Sequence, residues 1–302
     1  MTEPVPPFER TEFIEANGLR FETGVVGDGP DLALCLHGFP EHFVAWRHQA
    51  RFLAERGYQV WAPNLRGYGG SDRPKGTAAY KLDHLLADVA GLYDAALARG
   101  LRPKLLLAHD WGALIAWAFL LKGLRPFERF VPVNIAHPAC MRAGFWRRGQ
   151  LFRSWYIGFF QLPWLPEAML GLGNGAMIVK AVRGEAANPE NFPREMMERY
   201  AENARIPGAL TAMINYYRAN LNPLGKTPLL AFDAPLDIPT LLIWGEADRH
   251  IGRHMMDGIE ARVRDLEILR LPGVSHWAMA DAPEAVNAAI GDWLDRSELT
   301  AG

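Results

Sequence analysis

The sequence predicts an α/β protein: a mostly parallel sheet flanked by helices, with one helical insertion. Three observations carry this. Short apolar runs without alternation recur along the chain, helix-like stretches separate most of them, and the rhythm breaks once, between about residues 141 and 229. Continuous apolar runs suit strands covered on both faces, and their alternation with helices is the mark of a parallel sheet.

Taken in order, residues 12–16 and 19–26 read as strands joined by Asn17-Gly18, a strong hairpin signal that places antiparallel strands at one edge. The core strands are expected at 32–36, 60–62, 105–108, 130–135, 241–244 and 266–271, and the helices at 46–55, 82–98, 111–121 and 283–295. Pro283 suits the first turn of the last helix. Residues 141–229 hold Trp146, Trp155, Tyr156, Phe159, Phe160, Trp164, Tyr216 and Tyr217 among helical patterns and proline breaks, with no convincing core strand. The strand pattern resumes at Thr240. The division expected is therefore a core domain of residues 1–140 and 230–302 and a helical cap, or lid, of residues 141–229. Ligands of open α/β sheets sit at the carboxyl ends of the strands, where such a cap would roof the site.

With 302 residues, 49% of them apolar, the chain can bury a large core. A net charge of -2 provides no field suited to nucleic acid or an anionic membrane, so neither is expected as a partner. The opening MTEPVPPF has no basic or apolar leader segment, and the longest apolar run, 111–121, is about half the roughly 20 residues of a membrane span. Cys35 and Cys140 read as free thiols, which points to a reducing cytoplasm.

The chemistry centres on LLLAHDWGA, residues 105–113. Ala108 and Gly112 lie two positions either side of Asp110, the spacing of a nucleophile elbow, a strand-to-helix turn too tight for large flanking side chains. The positive end of the following helix would keep Asp110 ionised. An aspartate there also simply caps a helix, so this stretch alone leaves both readings open. Two later features favour the first. Gly245-Glu-Ala-Asp248 follows one strand and Pro272-Gly-Val-Ser-His276 another, giving the order nucleophile, acid, histidine of a hydrolytic triad. After strand 32–36 comes His37-Gly-Phe-Pro-Glu41, where the N–H groups of Phe39 and Trp111 could face one oxyanion; His37 reads as a structural hydrogen-bonding residue.

The motifs HGFPE at 37–41, RGYGGSDRP at 66–74, HDWG at 109–112, GEAD at 245–248 and SHW at 275–277 resemble those of the α/β-hydrolase-fold epoxide hydrolases, over nearly the whole chain. The resemblance implies that Asp110 is a nucleophile, His276 a general base oriented by Asp248, and Phe39 and Trp111 an oxyanion hole. It also implies two cap tyrosines that donate to the epoxide oxygen. Tyr156, within WYIGFFQ, resembles the first, and Tyr217, directly before Arg218, is chosen over Tyr216 as the second. Phe39, Trp111 and Trp155 are expected to line the substrate site. The implied partner is a small apolar epoxide, with no cofactor, no metal, and a monomeric or homodimeric state. Each tyrosine could instead be an ordinary aromatic of a helix packing face.

A carboxylate suits this chemistry because serine attacking a saturated carbon would leave an ether, whereas aspartate leaves an ester that water can cleave. Haloalkane and fluoroacetate-type dehalogenases share that nucleophile. The first usually carry a halide-binding asparagine where this chain has Phe39, and the arginines that grip a carboxylate in the second have no counterpart in 112–119. A non-catalytic relative binding an apolar ligand is the third alternative, and the intact Asp110, Asp248 and His276 argue against it. His250 and His254 lack the further ligands of a metal site. Gly67 to Ser71 reads as a structural turn, and residues 142–153 as an amphipathic cap helix with a solvated face.

Overall fold

The computed structural model describes residues 7–147, 149–221 and 227–299; most of the amino-terminal stretch read above for a leader, residues 1–6, lies outside the described residues, as does Arg148. The strands are β1 (Arg10–Ala16), β2 (Leu19–Val26), β3 (Asp31–Leu36), β4 (Tyr58–Pro63), β5 (Arg102–His109), β6 (Arg129–Val133), β7 (Thr240–Gly245) and β8 (Leu266–Leu271). They form one sheet in the order β1-β2-β4-β3-β5-β6-β7-β8. The β1–β2 and β2–β4 pairs are antiparallel and all others parallel. Asn17 and Gly18 both take positive φ, 50° and 70°, as a tight two-residue hairpin requires.

Between the strands lie α1 (Arg47–Glu55), α2 (Leu82–Ala98) and α3 (Asp110–Leu121), and α11 (Ala278–Asp281) and α12 (Pro283–Leu299) close the chain. Side chains of a strand point alternately to its two faces, and β3 shows the result. Leu32, Leu34 and Leu36 join the core beneath α2 and α3, with Leu85, Leu92 and Ile115, while Ala33 and Cys35 join the core beneath α1 and α12, with Leu53, Ile290 and Trp293. That two-sided burial explains the absence of polar alternation in the central strands. β8 departs from the expectation: residues 266–269 are half-buried and Arg270 is exposed, because β8 is the outer strand and has only β7 beside it.

Between β6 and β7 run α4 (Pro138–Phe145), α5 (Gln150–Arg153), α6 (Trp155–Phe159), α7 (Leu165–Leu170), α8 (Ala176–Glu185), α9 (Arg194–Arg205) and α10 (Ala209–Asn220), with no strand among the described residues. One expectation is corrected here. Residues 142–153 are not a single amphipathic helix: α4 stops at Phe145, Gly149 takes a left-handed backbone with φ 75°, and α5 is a separate turn. Glycine costs helix stability where a left-handed conformation is within reach, and that breaks the run.

The turn at residues 64–74 fastens α2 to the helices above the sheet. Arg66 is buried and its guanidinium grips both carboxylate oxygens of Asp88 on α2, while its carbonyl accepts from the Tyr216 hydroxyl on α10 at 2.9 Å. Asp88 also accepts from Asn17 Nδ2 at 2.9 Å. Removing one partner of a buried pair strands the other charge. The Arg66→Met variant is therefore expected to lose about 3–5 kcal/mol of unfolding free energy by urea titration; a loss below about 1 kcal/mol would show the pair to be dispensable.

Candidate active site

β5 delivers the chain to Asp110, whose φ of 46° lies in the left-handed region that non-glycine residues avoid. The turn is sterically closed on both sides. A Cβ on Gly38 would sit 2.4 Å from Asp110 Cβ, and one on Gly112 would sit 2.3 Å from the Leu36 carbonyl oxygen. Asp110 is thereby held where α3 begins, with Oδ1 accepting from the Phe39 amide at 2.8 Å. Its other oxygen, Oδ2, lies 3.6 Å from His276 Nε2.

The loops after β7 and β8 complete the arrangement. His276 Nδ1 is 2.6 Å from Asp248 Oδ2. Asp248 is buried, and the amides of His250 and Ile251 donate to its Oδ1 at 2.7 and 2.8 Å. Asn134, at the end of β6 with φ 54°, donates from Nδ2 to Asp248 Oδ2 at 2.8 Å and accepts from the Gly245 amide at 2.9 Å. Below them His109 Nε2 donates to the His276 carbonyl at 3.0 Å, and its Nδ1 faces Glu41 Oε2, also at 3.0 Å. Glu41 Oε2 in turn accepts from the Gly38 amide at 2.5 Å.

A cavity of about 280 Å³ opens over Asp110 and His276, walled by Phe39, Trp155, Tyr156, Phe160 and Tyr217. Tyr156 and Tyr217 approach each other edge to face, 5.9 Å between centroids. Tyr216 does not reach the cavity: its hydroxyl is engaged with the Arg66 carbonyl on the other side of α10. The Trp111 indole is buried, packs edge to face against the Tyr217 ring at 4.9 Å and is hydrogen-bonded to the Tyr217 side chain. Glu185 and His250, paired at 2.9 Å, add a polar edge beside Tyr156. His37 is buried, with Nδ1 donating to the Gly38 carbonyl at 2.9 Å and Nε2 accepting from the Leu65 amide at 3.1 Å; burial keeps it neutral, its pKa down at about 4.

The electrostatics follow from this packing. Burial opposes the charged form of Asp110, but His276, His109 and the Phe39 amide outweigh it and hold the carboxyl at about 2. Burial likewise opposes protonation of His276, yet the charges and hydrogen bonds of Asp248 and Asp110 raise its pKa well above the ordinary histidine value. Asp248 is lowered, its burial outweighed by His276. Burial and then the Asp110 charge push both Tyr156 and Tyr217 upward, so both hydroxyls stay protonated at neutral pH. The site at rest is a carboxylate facing an imidazolium, beneath two proton-bearing phenols.

Residues 33–283 match the family model of the α/β-hydrolase fold. The chain is 35% identical to the AB hydrolase superfamily protein YfhM of Bacillus subtilis over 94% of its own length and 98% of that protein's. It is also 35% identical to epoxide hydrolase 3 of Xenopus tropicalis, covering 94% of this chain and 77% of that one. The chain belongs to the α/β-hydrolase-fold epoxide hydrolase family. Among solved structures, this hydrolase is similar to a mutant epoxide hydrolase from Bacillus megaterium complexed with its product (R)-3-[1]naphthyloxy-propane-1,2-diol. There the identity is 26% and the TM-score 0.82, over 94% of this hydrolase and 100% of that chain.

Sequence reasoning did not assign the residues that hold the set in register. Glu41 and His109 stand inside two of the quoted motifs but 68 positions apart, and only the β3–β5 pairing shows that they meet. Asn134 carries no local signal apart from following a strand. The coupling of Asp110 to His276 is open to direct measurement. In Asp110→Ala the His276 pKa, followed by NMR of labelled histidine, is expected to fall by about 1–3 units; an unchanged value would mean that Asp110 does not hold the proton on His276.

Proposed function

We propose that this hydrolase converts an apolar epoxide and water to a vicinal diol through an ester on Asp110. Residues 1–140 and 230–302 form the catalytic core in this reading, and residues 141–229 the cap that supplies the two tyrosines. The observation that carries the proposal is the combination at one cavity of an ionised elbow aspartate and two protonated phenols, Tyr156 and Tyr217. The phenols are superfluous to acyl transfer and suit an oxygen gaining negative charge on a saturated carbon.

In the first half-reaction Asp110 Oδ2 forms a bond to an epoxide carbon, the carbon–oxygen bond of the ring breaks, and the departing alkoxide receives a proton or hydrogen bond from the tyrosines. Oδ2 is assigned as the attacking atom because Oδ1 is engaged by the Phe39 amide, where it becomes the ester carbonyl oxygen. Esterification removes the Asp110 charge. One of the two carboxylates that hold a proton on His276 is then gone and the histidine's pKa drops; its proton passes to the tyrosine or alkoxide oxygen left without one, and the neutral imidazole can act as base. In the second half-reaction a water gives one proton to His276 Nε2 and attacks the ester carbonyl, and the oxyanion meets the amides of Phe39 and Trp111. Collapse expels the substrate oxygen, which takes the proton of the new carboxyl group to leave as the diol and restores the Asp110 carboxylate beside a protonated His276. Asp248 keeps the imidazole oriented throughout.

Dehalogenation with the same nucleophile is disfavoured by Phe39 and by the tyrosine pair, and a purely binding role has no use for a base aimed at the carboxylate. In His276→Gln exposed to epoxides and alkyl halides, intact mass is expected to show an adduct on Asp110 equal to the whole epoxide. An adduct from halides alone, lacking the halogen, would transfer the protein to the dehalogenases, and no adduct at all would favour the binder. The Tyr156→Phe and Tyr217→Phe double variant is expected to alkylate about 10²–10⁴-fold more slowly. In single turnovers of the wild type, ester hydrolysis is expected to rise with pH as His276 of the ester loses its proton. Alkylation should stay flat above the Asp110 pKa of about 2 until the tyrosines ionise. Identical pH profiles for both steps would contradict this division of labour.

A further inference from the structure

Large apolar side chains belong inside, yet among the described residues every exposed one except Phe13 and Leu97 falls between Trp146 and Leu172. Phe152 is 86% exposed, Trp164 72% and Trp155 65%. Single exposed apolar residues need no explanation, whereas a concentration of them marks an interaction surface. Trp164 strengthens the case. Its φ is 51°, a left-handed backbone that bulky residues avoid, and the strained turn at the start of α7 leaves its indole in solvent. Trp155 and Met169 belong both to this exposed group and to the cavity wall, so the apolar surface runs into the cavity mouth.

The charge of the segment itself is one-sided. Between Met141 and Lys180 the sole acidic residue is Glu167, and both its oxygens are occupied by the Arg218 guanidinium, at 2.6 and 3.0 Å. Arg147 and Arg153 are exposed in the same segment, Arg153 with one nitrogen donating to the Asp248 carbonyl at 2.8 Å, while Arg142 is paired with Asp233. The near-zero charge of the whole chain thus conceals a stretch, residues 141–180, in which basic residues outnumber acidic ones. Tryptophan and phenylalanine rimmed by arginine is the composition that settles at the headgroup boundary of an anionic bilayer.

We propose that the surface of α5, α6 and α7 around the cavity mouth docks on anionic lipid bilayers, so that an apolar substrate passes from the lipid into the cavity. No helix among the described residues is long and apolar enough to cross a membrane, and the attachment is peripheral. A second copy of the chain fits the surface less well, because a two-fold contact would bring the same arginine-rich rims together. The docking requires only that the ligand be apolar, and stands whether or not that ligand is an epoxide.

The test is co-sedimentation with vesicles of phosphatidylcholine alone and of equal phosphatidylcholine and phosphatidylglycerol. The Phe152→Ser/Trp164→Ser and Arg147→Glu variants change exposed side chains outside the cavity wall, and thermal melts would establish that they fold. The wild type is expected to pellet with the anionic vesicles, with a blue-shifted tryptophan emission, and each variant to bind about tenfold less while hydrolysing dissolved substrate at the wild-type rate. Failure of the wild type to bind, or undiminished binding by both variants, would overturn the proposal. So would a wild-type dimer in light scattering that Phe152→Ser/Trp164→Ser dissociates, which would give the surface to a second copy. Vesicle binding by a protein inactive on every epoxide would uphold the docking and discard the epoxide reading alone.

Discussion

A carboxylate in left-handed backbone at the end of β5 is the constraint on which the rest of the structure depends. Asp110 can be held at φ 46° only because Gly38 and Gly112 let neighbouring backbone close around it, and because β3 and β5 pair side by side, bringing the Phe39 amide to its oxygen. Every group that meets Asp110 comes from the carboxyl end of a different strand or from the helices above. The parallel sheet is therefore a positioning device, and its two-sided burial is what makes the strand ends stiff enough for the task.

The charges form one coupled arrangement. Asp248 and Asp110 both favour a proton on His276, and His276 favours the ionised form of both. In the proposed reaction one of those two carboxylates would be consumed as an ester, and the histidine's affinity for a proton would fall when a base is first needed. Asn134 and the amides of His250 and Ile251 hold Asp248 in place, so that only Asp110 varies in charge. Above this set the tyrosines stay protonated for a related reason: they are buried and face the Asp110 carboxylate.

The helices between β6 and β7 serve two environments at once. Inward, α6 and α10 present Tyr156 and Tyr217 to the cavity, while the Arg66 carbonyl takes up the hydroxyl of the adjacent Tyr216. Outward, the same short helices leave tryptophans and phenylalanine in solvent. Short helices separated by left-handed turns cannot bury every apolar face, and two of the side chains they expose, Trp155 and Met169, also line the cavity.

The sequence by itself determined the alternation of strands and helices, the inserted helical segment, and the placing of Asp110, Asp248 and His276 directly after strands. Those features are written in local patterns, namely periodicity, turn residues, and short motifs immediately after strands. Its errors were local as well: β8 was read as covered on both faces although it is the outer strand, and 142–153 as one helix although Gly149 breaks it. Only the tertiary structure decided which of Tyr216 and Tyr217 faces the cavity, and that Glu41, His109 and Asn134 fasten the set. Each of these depends on pairs of residues far apart in the chain, such as Tyr216 with Arg66 or Asn134 with Asp248. A contact of that kind leaves no periodicity and no motif, because it is specified by how the strands and helices pack and not by the residues on either side.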